Sequence, residues 1–119
     1  MDILVVDDSS AMRMMVVRAL RQAGYDASSI TQACDGQEAF DQICKKEPDL
    51  VLADWNMPNM TGIELLEKLR EDKIGVTFGF ITTESTGEMR KRATDAGAKF
   101  LISKPFTVEA FEKVRQTVL

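Results

Sequence analysis

Histidine is absent from the 119 residues, and the other deficits are nearly as informative. Without an imidazole, no chemistry here can rely on an internal histidine as base, metal ligand or phosphoryl carrier. The two cysteines, Cys34 and Cys44, fit no metal-binding spacing and are expected to be reduced, buried thiols. Fifteen basic residues stand against nineteen acidic ones, a net charge of −4, so no basic face for nucleic acid is expected. No apolar run approaches the roughly 20 residues of a membrane span. No basic segment followed by an apolar one precedes the first strand-like run, so no signal peptide is expected and the location is read as cytoplasmic. A Gly-rich phosphate loop is missing, which removes support for nucleotide binding of the P-loop or Rossmann kind. A calcium loop with regularly spaced acids is missing too.

What is present is an alternation. Residues 2–7 read as a strand, and 10–23 as a helix with Met12, Met15, Val16, Ala19, Leu20 and Ala23 on one face, closed by Gly24. A weaker strand covers 29–33. Asp35 and Glu38 form the pattern of a capping box ahead of a helix that buries Ala39, Phe40 and Ile43. A third strand covers 49–54. Thr61 and Glu64 repeat the capping pattern before a helix burying Ile63, Leu66 and Leu69. A fourth strand, 76–82, contains Gly79, an unfavourable strand residue. Ser85 and Glu88 make the third capping pattern, before a helix whose thin apolar face (Met89, Ala93, Ala96) predicts a loosely held element. A fifth strand covers 100–103, and Thr107 caps a last helix with Val108, Phe111, Val114 and Val118 inward. One domain over residues 1–119 is expected, an α/β, doubly wound, five-stranded parallel sheet with helices on both faces. Right-handed crossovers bring every strand's carboxyl end to one edge.

That edge concentrates the polar chemistry. The first strand runs into Asp7-Asp8, the third into Asp54, the fourth ends at Thr82, and the fifth into Lys104-Pro105. Open α/β sheets place their sites at this edge. Two carboxylates about 4 Å apart repel by about 4 kcal/mol at an effective dielectric of roughly 20, so such a cluster shifts its pKa values or binds a cation. All-oxygen ligands with few protein donors suit Mg²⁺ over Ca²⁺. With Lys104 and Thr82 added, the set is one for phosphoryl transfer, Asp54 being the candidate nucleophile. The plain structural alternative is that Asp7-Asp8 cap the first helix and Lys104 pairs with one of them.

Taken together, Asp7-Asp8, Asp54 with Met57-Pro58 and Gly62, Thr82, and Lys104-Pro105 resemble the receiver domain of two-component response regulators, and Trp55 to Met60 and Lys104 to Thr107 look CheY-like. The resemblance covers nearly the whole chain. It implies the strand order 2-1-3-4-5 known for CheY itself. It also implies that Asp54 accepts a phosphoryl group from a phosphohistidine on a histidine kinase or histidine-phosphotransfer protein. Asp8, Asp54 and the backbone carbonyl of Asn56 would hold Mg²⁺, with Asp7 acting through water. Thr82 and Lys104 would bind phosphoryl oxygens, the latter placed by a cis Lys104-Pro105 bond, and Asn56 and Glu84 would tune hydrolysis toward a short-lived state.

Two positions depart from that pattern. Leu101 stands where many relatives carry an aromatic, with Phe100 beside it, and Thr61 replaces the commoner Asp or Asn. Met14 and Val17 fall off the buried stripe of the first helix and are candidates for docking the histidine-bearing partner. The leading expectation is a stand-alone switch with no output domain and no separate substrate, signalling by protein contacts through the fourth helix, fifth strand and fifth helix, with the flagellar motor switch as the specific case. Alternatives are a phosphorelay intermediate, an aspartyl-phosphate hydrolase and a flavodoxin-like electron carrier.

Overall fold

A computed structural model describes residues 1–118. Ten main elements alternate: β1 (Ile3–Val6), α1 (Ser10–Gln22), β2 (Ile30–Ala33), α2 (Gly36–Lys45), β3 (Leu50–Ala53), α3 (Gly62–Glu71), β4 (Thr77–Thr82), α4 (Gly87–Asp95), β5 (Phe100–Ser103) and α5 (Val108–Thr117), with one 3-10 turn at Ala27–Ser29. The sheet order is β2-β1-β3-β4-β5, all pairings parallel. The register aligns Ile3 with Ile30 and Leu50, Leu50 with Thr77, and Gly79 with Phe100.

Alternation along the strands builds two cores. Leu4, Val6, Val51, Ala53, Phe78 and Phe80 face α2, α3 and α4; Ile3, Val5, Leu50, Leu52 and Ile81 face α1 and α5. Both faces of β1 and β3 are buried, which is why these runs read as continuously apolar. In α3, Leu65, Leu66 and Leu69 are fully buried, each contributing about 1.5–3 kcal/mol of apolar transfer. Gly79 belongs in β4 after all: the Phe100 ring lies where a Cβ on Gly79 would sit, so the glycine makes room for a cross-strand aromatic.

Helix ends follow the local chemistry, with corrections. Ser9 caps α1 through Met12 N–H, so neither Asp7 nor Asp8 is spent on that role. Asp35 caps α2, and Thr61 and Glu64 form a reciprocal capping box on α3. The cap of α4 is Thr86, not Ser85; of two adjacent hydroxyls, only that of Thr86 accepts from Met89 N–H. Gly24 and Gly97 take positive φ after α1 and α4, as the C-terminal turns require.

Burial expectations fail at Met15 and at both cysteines. Met15 is 54% exposed although it falls on the helical face of Val16 and Ala19, which are buried in the second half of α1. Both cysteines are exposed rather than buried: Cys34 lies just past β2, an edge strand, and its thiol donates to Glu38 Oε2 at 2.8 Å, while Cys44 lies in the last turn of α2. The thin face of α4 is as expected, with Ala93 alone buried.

Candidate functional site

The site is made by backbone hydrogen bonds that continue one residue beyond the strands. Asp7 N–H donates to Ala33 O at 3.1 Å, Asp54 N–H to Val6 O at 3.0 Å, and Lys104 N–H to Thr82 O at 2.8 Å. Each functional side chain therefore stands at the first position after a strand while its backbone is still pinned to the neighbouring strand. Sheet pairing, not loop geometry, fixes their spacing.

Asp7, Asp8 and Asp54 each offer a carboxylate oxygen within 4.8 Å of the others. Asp7 is buried, Asp54 half-buried and Asp8 exposed, so the cluster opens to solvent on the Asp8 side. The Lys104 ammonium lies 3.1 Å from Asp7 Oδ2 and 3.6 Å from Asp54 Oδ2, with only 9% of its side chain exposed. Lys104 thus pairs with Asp7, as the plain structural alternative held, and reaches Asp54 as well. Three carboxylates against one ammonium leave a surplus of negative charge at the mouth. Hard oxygen donors with that surplus fit a small divalent cation. Burial holds the Asp54 carboxyl above its ordinary pKa; Lys104 pulls it down and Asp7 pushes it further up. One Asp54 oxygen also accepts from Trp55 N–H at 2.8 Å.

Thr82 is fully buried, and its hydroxyl accepts from Glu84 N–H at 3.3 Å. Asn56 and Glu84 are exposed on the loops after β3 and β4. Trp55 stacks on Phe80 with centroids 4.9 Å apart, and Gly62 N–H donates to Trp55 O at 2.8 Å, which closes the loop after Asp54 onto α3. A Cβ on Gly62 would collide with the Asp54 carbonyl oxygen, so only glycine permits this approach. The Lys104-Pro105 bond is cis.

The two docking candidates separate. Met14 is 62% exposed, beside Met15. Val17 is half-buried against the core of α1 and α5, so its expected position off the buried stripe needs correction: the stripe on α1 is wide enough to take part of it.

Sequence reasoning missed Arg13. Its Nη1 donates to the Asp7 carbonyl oxygen at 2.6 Å and its Nε to Gln32 Oε1 at 3.0 Å. No periodicity marks it, because a long side chain on a polar helix face reaches backbone that the sequence does not display.

Comparison with known proteins agrees with this geometry. A family profile described as the response regulator receiver domain matches residues 3–116. A chemotaxis protein CheY homolog of Campylobacter jejuni is 38% identical, over all of this chain and 92% of the relative. Chemotaxis protein CheY-3 of Vibrio cholerae is 38% identical over 95% of this chain and 87% of its own. The solved structure of Vibrio cholerae CheY4 superposes with a TM-score of 0.86 at 35% identity, covering 99% of this chain and 98% of that one. Such domains are signalling proteins, and among the described residues no helix is long and apolar enough to cross a membrane. By profile, relatives and strand order alike, this chain belongs to the CheY-like receiver domains of two-component response regulators.

Proposed function

We propose that this receiver is a Mg²⁺-dependent phospho-acceptor switch in which Asp54 takes a phosphoryl group from a phosphohistidine on a kinase or phosphotransfer partner. The observation that carries the reading is one buried ammonium, Lys104, shared between Asp7 and Asp54 beside the open carboxylate of Asp8. An Asp54 oxygen attacks phosphorus; the P–O bond forms as the P–N bond breaks, and the electron pair stays on the departing imidazole. Burial that raises the Asp54 pKa also makes its carboxylate the better nucleophile. Lys104 faces Asp54 and can swing its charge to a phosphoryl oxygen, leaving Asp7 to the cation side. Thr82 can give up its bond from Glu84 N–H and donate its own hydroxyl proton to the phosphoryl group.

Asp8 and Asp54, with the Asn56 carbonyl, would hold Mg²⁺, and Asp7 would act through water. Bound there, the cation supplies charge neutralisation for the phosphoryl oxygens. Asn56 and Glu84, exposed on the loops after β3 and β4, would act on the hydrolytic water and give a short-lived phosphoryl state. Met14, exposed on α1 beside Met15, and the partly exposed Val17 would contact the histidine-bearing partner. Output would pass through α4, β5 and α5 to a protein target, and relatives named as chemotaxis proteins favour the flagellar motor switch.

The test uses Trp55, adjacent to Asp54. Its fluorescence is followed on adding Mg²⁺ and then a small-molecule phosphodonor, with Asp54→Asn in parallel. The expected result is a Mg²⁺ response, then a donor-dependent change that decays and is missing in Asp54→Asn. An equal donor response in the variant, or a signal that persists for hours, would contradict the proposal.

A further inference from the structure

Arg13 occupies a place that the switch chemistry does not use. It lies on α1, yet its guanidinium leaves the helix and divides between two strand ends. One nitrogen bonds the Asp7 carbonyl oxygen at 2.6 Å and another bonds Gln32 Oε1 on β2 at 3.0 Å. Asp7 is thereby held at four atoms. Its N–H donates to Ala33 O, its carbonyl accepts from Arg13, Oδ1 accepts from Ser9 N–H at 2.9 Å, and Oδ2 pairs with Lys104. The carbonyl that Arg13 holds is the near half of the Asp7-Asp8 peptide plane. Fixing that oxygen fixes the plane, and with it the positions of the Asp8 N and Cα from which the exposed carboxylate departs.

From this geometry we propose that Arg13 is a positioning residue for the cation site: by clamping the Asp7-Asp8 peptide against Gln32 it sets the affinity for Mg²⁺. The inference rests on the metal reading given above. A fork suits the task because Nε and Nη1 are rigidly spaced in one plane, so the two acceptors on different strands are held in a fixed mutual geometry. Gln32 is the second half of the device, since its amide oxygen accepts from Nε and aims the guanidinium.

The sign of the effect separates positioning from simple charge. A cation near a metal site repels the metal, so if Arg13 acts only through its charge, its neutral replacement binds Mg²⁺ more tightly. If it positions Asp8, the neutral replacement binds more weakly, by roughly ten-fold, the scale seen when partners behind metal ligands are removed. Gln32→Leu keeps the Arg13 charge and removes only its anchor, so charge alone predicts no change and positioning predicts weaker binding.

The experiment is a Mg²⁺ titration of the intact chain followed by Trp55 fluorescence, on wild type, Arg13→Met, Gln32→Leu and the double variant, with urea midpoints to check folding. The proposal expects weaker binding in both single variants and a double variant no worse than Arg13→Met, because both changes cut one path. Unchanged or tighter binding in Arg13→Met, or no effect of Gln32→Leu, overturns it while leaving the metal reading intact. Should Arg13→Met fail to fold, Gln32→Leu decides alone. A wild-type protein that shows no Mg²⁺ response sinks the metal reading and this inference with it.

Discussion

Lys104 and Asp7, 97 residues apart in the chain, meet in a buried ion pair at 3.1 Å. The pair joins the end of β5 to the end of β1 across two intervening strands, and Asp54 lies against the same ammonium. Removing one partner of such a pair leaves the other charge buried and uncompensated. In Lys104→Met, Asp7 and Asp54 would repel without a counter-charge. We expect a loss of about 2–3 kcal/mol at neutral pH without divalent cation, less than for a fully enclosed pair because the cluster opens at Asp8. Added Mg²⁺ should recover more stability in this variant than in wild type, since it replaces the missing positive charge. Urea unfolding with and without Mg²⁺ checks both statements, and equal Mg²⁺ stabilisation of the two proteins would contradict them.

Asp54 gives a stability prediction of opposite direction. Burial raises its pKa in the folded state, against the lowering by Lys104. A raised folded pKa means that the native state binds the proton more readily than the unfolded chain does. Above both values the ionised carboxylate therefore subtracts from stability, and that loss disappears as pH falls through the folded value toward the ordinary aspartate range. Asp54→Asn, which keeps an oxygen for Trp55 N–H, should be more stable than wild type at pH 7 in the absence of divalent cation. The difference should shrink steadily on acidification and vanish near pH ~4. Denaturant midpoints of the two proteins from pH 7 downward, in a chelating buffer, test the trend; a gap that widens in acid would refute it.

The part of this site legible in the sequence is the part that strand endings encode. Asp7, Asp54, Thr82 and Lys104 follow or close short apolar runs, and the parallel order places those endings together. Arg13 and Gln32 were not legible, because their meeting depends on side-chain reach between a helix and an edge strand. Periodicity failed at Met15, where the helical face continues in sequence beyond the part of α1 that is buried. It failed at Leu65, fully buried but unflagged, because α3 is enclosed more widely than a narrow stripe. The capping pattern points to Ser85, because Glu88 follows it by three residues, whereas the hydroxyl that accepts from Met89 N–H is that of Thr86.

Glycines 62 and 87 should respond oppositely to the same change. At Gly62 a methyl group would meet the Asp54 carbonyl oxygen and the Phe80 ring, neither of which can move without disturbing the sheet edge. Gly62→Ala should cost about 1–3 kcal/mol and alter Trp55 fluorescence, because the loop between Asp54 and α3 must shift. At Gly87, in the first turn of α4, nothing lies within 4 Å of the added atom. Gly87→Ala should stabilise by ~0.5 kcal/mol, chiefly by restricting the unfolded chain. Thermal unfolding and Trp55 emission of the two variants distinguish steric loss from entropic gain. A neutral Gly62→Ala would mean that the close contact with Asp54 is not maintained in solution.

The two cysteines are both exposed but should not react alike. Cys34 donates to Glu38 at 2.8 Å, and this hydrogen bond raises its pKa, with burial and the charges of Glu38 and Asp35 acting in the same direction. Since the thiolate is the reacting species, a higher pKa slows attack on a disulfide reagent at neutral pH. The expected result is two kinetic phases, with the Cys44→Ser protein retaining the slow one and Cys34→Ser the fast one. Glu38→Gln removes the charged acceptor and should accelerate the slow phase toward the rate of Cys44. The acceleration should fade as pH rises, because Cys34 then ionises with or without the Glu38 charge and the Glu38 effect no longer sets its thiolate fraction. Equal rates at the two cysteines in wild type, or no change in Glu38→Gln, would show that the Cys34–Glu38 bond does not control reactivity.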